Sequence, residues 1–162
     1  MIYASLGDLE QARIKRDEAL ALGPDEALPV AVNVYFQTVT GERSEAVAAA
    51  RAALAGGAVN RWNSHNFLLR VMRDEAIATG NLDEALAWYQ RLTPELFEAE
   101  PQVSPRNISR AADLALLLQR AGEPKQAEVV LKRVVAVYDR YYVRGSANYP
   151  LGIAKVDALA LL

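Results

Sequence analysis

Three stretches of the chain carry apolar residues at helical spacing. They read LPVAVNVYFQTVT from Leu28, SHNFLLRVMRDEAIAT from Ser64 and ISRAADLALLLQRA from Ile108. Each predicts a helix of roughly three to four turns. Each is followed by a glycine, a few polar residues and a second run that opens on a small apolar residue. The pattern is therefore helix, sharp turn, helix.

The turns are alike. They read LGDLEQA from Leu6, TGERSEA from Thr40, TGNLDEA from Thr79 and AGEPKQA from Ala121. Gly7, Gly41, Gly80 and Gly122 are each followed five residues later by Ala12, Ala46, Ala85 and Ala127. Each alanine is preceded by Gln11, Glu45, Glu84 or Gln126. The glycines are 34, 39 and 42 residues apart. One such glycine–alanine pair says nothing; four at helical-hairpin spacing define a repeat. Glycine stops the first helix because a left-handed cap needs no Cβ. Asp8, Ser44 and Asp83 stand where the second helix needs an N-cap or a first-turn residue. Pro124 suits the first turn of its helix, where its missing N–H costs little. The alanine is small because two helices cross closely there. Trp88 and Tyr89 are expected to fill the seam between hairpins.

These four units resemble the tetratricopeptide repeat (TPR), a helix–turn–helix of about 34 residues with a small residue early in the second helix and a proline near its end. Tyr3, Gly7, Ala12, Ala19 and Pro24 match that pattern in the first copy. Gly41, Ala46 and Ala53 match it in the second, with Ala58 where proline is usual. The third keeps Gly80, Ala85 and Tyr89, with Leu92 at the second small position and Pro94 arriving early. The fourth keeps Gly122, Ala127 and Leu131 and lacks the terminal proline. The family's early tryptophan and its Leu-Gly pair in the first helix are missing. The resemblance implies an all-α, right-handed α-solenoid of antiparallel helix–turn–helix hairpins, a TPR-like superhelix. As a single array it divides into a partial repeat over 1–24, repeats over 25–59 and 60–94, an irregular loop over 95–107, a repeat over 108–145 and a partial repeat over 146–162. The chain begins in the last turns of a helix and stops inside PLGIAKVDALALL. Solenoids normally close with polar-faced capping units, so the expectation is a piece of a longer protein, or ends that pair with another copy.

Two irregularities stand out. Pro94, Pro101 and Pro105 break TPELFEAEPQVSPRN, which predicts a short helical turn and then an extended loop. VVAVYDRYYVRGSANYP predicts an overlong second helix ending near Gly145.

Composition narrows the function classes. The 162 residues carry a net charge of -2, against the basic excess of a nucleic-acid-coating surface. There is no cysteine, which excludes disulfides and thiolate metal sites and suits the cytoplasm. No run reaches the roughly 18 to 20 apolar residues of a membrane span, and MIYASLGDLEQAR lacks the basic segment and following apolar run of a signal peptide. His65 is the one histidine and falls where a helix begins, which suits a surface or capping residue. No phosphate-binding glycine loop, dinucleotide fingerprint or zinc-protease motif occurs. The carboxylate pairs Asp74–Glu75 and Asp83–Glu84 are helix neighbours about 100° apart, so they do not converge. Asn107 matches a glycosylation sequon and is read as the N-cap of the helix after it. The expectation is no catalysis, cofactor or metal, and a protein or peptide as partner.

In the TPR family the first helix of each hairpin lines the concave groove. The resemblance places Leu28, Ala31, Tyr35 and Thr38 there in the second copy, Phe67, Arg70, Asp74 and Ile77 in the third, and Ser109, Ala112, Leu116 and Gln119 in the fourth. Ala31 and Tyr35 replace the lysine and asparagine of a carboxylate clamp, so that mode is not expected. Apolar groove positions suit a helix or an extended peptide; the plainer reading is that Leu28 and Phe67 pack between hairpins. A second patch combines Arg140, Tyr141, Tyr142 and Arg144, an arginine–tyrosine mixture that also occurs at interface anchors. Its plainer reading has the tyrosines packing on the next hairpin while the arginines face water. Asp83, Glu84, Glu95, Glu98 and Glu100 form an acidic stretch. Arg106, Arg110, Arg120, Lys125, Lys132 and Arg133 lead a basic one, and the two could complement each other between chains.

Overall fold

The computed structural model describes residues 2–23, 26–56, 64–141 and 149–162, without the side chains of residues 27, 64, 65 and 149–151. Among the described residues every regular element is helical. None of these helices is long and apolar enough to cross a membrane. The chain divides into two compact units, Met1–Glu75 and Ala76–Leu162.

The first unit contains α1 (Ile2–Ser5), α2 (Leu9–Leu22), α3 (Ala27–Thr40), α4 (Arg43–Gly56) and most of α5 (Ser64–Thr79). There α1 packs on α2, α2 on α3 and α3 on α4. The second unit contains α6 (Leu82–Leu92), a 3-10 turn (Pro94–Leu96), α7 (Ile108–Arg120), α8 (Pro124–Tyr141) and α9 (Tyr149–Leu161). Here α7 packs on α6, α8 and α9, and α8 also meets α9. Helices on several sides explain why AADLALLL has lost its polar face: Ala111, Ala112, Leu114, Ala115, Leu117 and Leu118 are all buried.

The four repeat glycines adopt left-handed conformations, with φ of 81° at Gly7, 84° at Gly41, 78° at Gly80 and 82° at Gly122. No other described residue has positive φ. Three of the turns close alike. The N–H after the glycine donates five residues back: Asp8 to Tyr3 O at 3.0 Å, Glu42 to Gln37 O at 2.8 Å, Glu123 to Leu118 O at 2.8 Å. This is the Schellman closure of a helix end. The third turn is simpler. The Gly80 N–H donates to Ala76 O at 2.8 Å, and the Asn81 N–H turns to Thr79 Oγ1 at 3.4 Å.

A Cβ added at Gly122 would meet nothing within 4 Å. Glycine is needed there for its φ, not for space. Gly122→Ala is therefore expected to cost about 1 kcal/mol, and Gly122→Asn less, because asparagine tolerates this region better. Urea midpoints of the two variants order them, and equal midpoints would remove the conformational explanation.

The alanines behave as their spacing predicts. Ala12, Ala46, Ala85 and Ala127 are all buried. In the first unit Ala4, Ala12 and Phe36 form one cluster, with Tyr35 packed on its edge, and the Arg16 guanidinium sits 4.5 Å above the Phe36 ring. The aromatic pair at the third turn splits. Tyr89 is wholly buried, whereas Trp88 is only half-buried, with the Arg91 guanidinium 5.3 Å from its ring.

Helix starts match in part. The Asp8 carboxylate accepts from the Gln11 N–H at 3.1 Å and caps α2, and Pro124 opens α8. Ser44 and Asp83 lie in first turns, but the Ser44 hydroxyl donates to Glu45 at 3.0 Å and caps nothing. At 18 residues α8 is indeed long; its expected end near Gly145 lies outside the described residues, as does Pro24.

The segment after α6 is a short helical turn followed by irregular chain, as the prolines predict. It is nevertheless tied down. Asn107 stands at the N-cap position of α7, yet its side chain makes no cap hydrogen bond. Its Oδ1 instead accepts from Ser104 N–H at 2.8 Å and Ser104 Oγ at 3.2 Å. Its Nδ2 donates to Glu95 Oε1 at 2.9 Å and Gln102 O at 3.1 Å. Four bonds use the full capacity of a carboxamide. Leu96, Pro101 and Asn107 are buried beneath this loop.

Candidate functional site

The first unit brings three successive first helices onto one line of side chains. Ser5 Oγ of α1 and the Tyr35 hydroxyl of α3 lie 2.8 Å apart. The Tyr35 ring then meets Phe67 of α5, with centroids 5.6 Å apart and planes tilted by 54°. Such a tilted pair adds about 0.5–1.5 kcal/mol to simple burial. Both rings remain half-buried, so each packs on the protein and shows a face to solvent.

The other groove positions fall into distinct groups. Leu28 is 62% exposed, so it does not pack between hairpins, whereas Phe67 does pack, on Tyr35. Ala31 and Ala112 are buried, and Arg70, Ile77, Ser109 and Leu116 are half-buried. Thr38 is exposed, and its hydroxyl donates to Val34 O at 2.8 Å. Asp74 is exposed and accepts from Arg73, whose Nη2 lies at 2.6 Å. Gln119 serves the fold. Its Nε2 donates to Leu161 O at 2.7 Å, satisfying a carbonyl that the end of α9 leaves without a helical partner.

The arginine–tyrosine patch is described only in part. Arg140 and Tyr141 are exposed, with the guanidinium 5.7 Å from the ring; Tyr142 and Arg144 lie outside the described residues. Nearby, Lys155 of α9 sits 4.4 Å over the Tyr138 ring and donates to Asp139 at 2.7 Å. That clasp between α8 and α9 packs Tyr138, whereas Tyr141 faces solvent and does not follow the packing reading. The acidic and basic stretches also meet inside the second unit. Arg133 approaches Glu100 at 3.4 Å. Burial pushes Arg110 below its ordinary value while the Glu95 charge opposes the shift.

An open cleft of about 400 Å³ lies in the first unit, lined by Thr38, Gly41, Arg43, Ala46, Val47, Val71, Asp74 and Glu75. Its apolar lining, Ala46, Val47 and Val71, is buried. Arg43 donates from Nε to Glu75 Oε2 at 2.7 Å and from Nη2 to the Asp74 carbonyl at 3.0 Å. The Asp74 and Glu75 carboxylates thus engage different arginines, as expected for helix neighbours. Thr38 and Asp74 were legible as groove positions. Arg43 was not, because its partners are more than thirty residues away.

Among the described residues no group of three or more histidine, cysteine or acidic side chains could hold a metal ion, and the His65 side chain is not described. Among the cleft's lining residues Arg43 pairs with Glu75, whereas the Thr38 hydroxyl and the Asp74 carboxylate bond to Val34 and Arg73 outside it. No family model matches the chain, and neither a curated protein nor a solved structure matches it significantly.

Proposed function

We propose that this chain is a TPR-like array of helical hairpins that serves as a non-catalytic interaction scaffold in the cytoplasm. Its partner is a peptide or a protein domain held by side chains of successive first helices. The observation that carries this reading is the Ser5–Tyr35–Phe67 line. It joins α1, α3 and α5, and its aromatic rings are neither buried as core nor isolated on the surface. Half-exposed aromatics on a rigid frame are the side chains that most often anchor a partner. The four left-handed glycine turns and the buried alanines after them support the repeat itself.

The test is capture by the wild-type chain and by the Tyr35→Ala and Phe67→Ala variants. Each change is expected to weaken retention of the wild-type partner by more than about tenfold, with far-UV dichroism unchanged. Retention that is indifferent to both changes sinks the groove reading.

A second reading is a structural, oligomerising or sensory segment of a larger bacterial regulatory protein, of the DNA-binding or signalling kind. It is favoured by the exposed apolar side chains Ile153, Val156, Leu159 and Leu162. Self-association in sedimentation that is lost on Val156→Lys would support it over capture of a separate partner.

A further inference from the structure

The cleft beneath Arg43 combines features that no single ion pair requires. Its apolar lining comes from Ala46 and Val47 of α4 and Val71 of α5. Its polar lining comes from Thr38, Asp74, Glu75 and Arg43. Apolar lining beside an acidic side chain suits a long side chain with an aliphatic stem and a cationic head.

The acceptors narrow the head group. Glu75 Oε2 and the Asp74 carbonyl already receive Nε and Nη2 of one guanidinium, that of Arg43. Two acceptors spaced for one planar fork match arginine; a lysine ammonium is a point charge without that edge. The Arg43–Glu75 pair is not locked. Arg43 is 56% exposed and Glu75 30% exposed, and pairs in such solvated settings are weak. A second guanidinium can therefore compete with Arg43 for these acceptors.

We propose that this cleft is a binding site for an arginine side chain presented by a partner peptide, and that Arg43 occupies its acceptors in the partner's absence. This rests on the interaction-scaffold reading for its partner. It adds a chemical identity at a place distinct from the Tyr35–Phe67 contact.

The test is a nuclear magnetic resonance titration of the full chain with Nα-acetyl-arginine methylamide. The citrulline analogue, a neutral near-isostere, is the control. Arginine is expected to shift the amides of Thr38, Val47, Val71 and Glu75, and citrulline to leave them in place. Glu75→Gln is expected to weaken the arginine response about threefold or more, since it removes a charged acceptor. Arg43→Ala is expected to strengthen it about threefold, because the internal competitor is gone. Arg43→Gln, which keeps most of the stem, should strengthen it as well, and covers the case in which the alanine variant disturbs the turn. Equal responses to arginine and citrulline, shifts spread away from the cleft, or weaker binding in both Arg43 variants would overturn the assignment. The probe reports on the cleft alone. Partner capture that depends on Tyr35 while the probe fails removes only this inference, and loss of Tyr35-dependent capture removes the scaffold reading by itself.

Discussion

Replacing Asn107 by alanine is expected to destabilise the second unit by about 3 kcal/mol. The side chain is buried and makes four hydrogen bonds, to Ser104 N–H, Ser104 Oγ, Glu95 Oε1 and Gln102 O. Alanine removes all four and leaves a backbone N–H, a hydroxyl, a carbonyl and a carboxylate oxygen to find new partners. Each such orphan costs about 1–3 kcal/mol when it stays buried. Partial exposure of Glu95 and Ser104 lets water recover some of it, which keeps the total below the sum. Urea unfolding measures the loss, and amide exchange locates it: the Ser104 N–H should lose protection far more than amides in α8. Asn107→Asp tests the assignment. A carboxylate still accepts from Ser104 but cannot donate to Glu95, and it places like charges together. It should therefore remain clearly less stable than the wild type. A loss below about 0.5 kcal/mol for Asn107→Ala would show that the loop does not depend on this knot.

Replacing Ala127 by leucine is expected to cost about 2–3 kcal/mol. Ala127 is wholly buried in the first turn of α8, a helix that packs on α7 and α9. Leucine adds three carbons in a place without room, and the excess appears as displaced helices or strained rotamers. Val129→Leu is the control. Val129 lies two residues further on but is 43% exposed, so its enlargement should change stability by less than about 0.5 kcal/mol. Equal effects at the two positions would mean that close helix approach is not what keeps Ala127 small.

These two residues differ in what their neighbours in sequence reveal. Ala127 was legible because its role follows a local rule, five residues after a turn glycine, repeated at Ala12, Ala46 and Ala85. Asn107 was legible only as to place. Its position before Ile108 marks a helix start, and asparagine there ordinarily caps. Its side chain turns back because Glu95 and Gln102 lie within the same loop and offer it more partners. The groove shows the same division. Tyr35 and Phe67 were chosen by register within their own helices, but their ring contact depends on how α3 and α5 are placed. Leu28 satisfies the same register and is left largely exposed. Gln119 satisfies it too, and is taken up by the end of α9.

By itself the sequence determined the helices, the four turns and the small residue after each. The constraints behind them act within a few residues: a left-handed φ that only glycine adopts cheaply, and an apolar period that commits a stretch to helix. Tertiary structure alone decided which polar side chains are occupied and where a cleft opens. Arg43 meets Glu75, Asn107 meets Glu95 and Gln119 meets Leu161 across separations of 32, 12 and 42 residues. A hydrogen bond forms only where donor and acceptor come within about 3 Å in the right direction, and no local period carries that information.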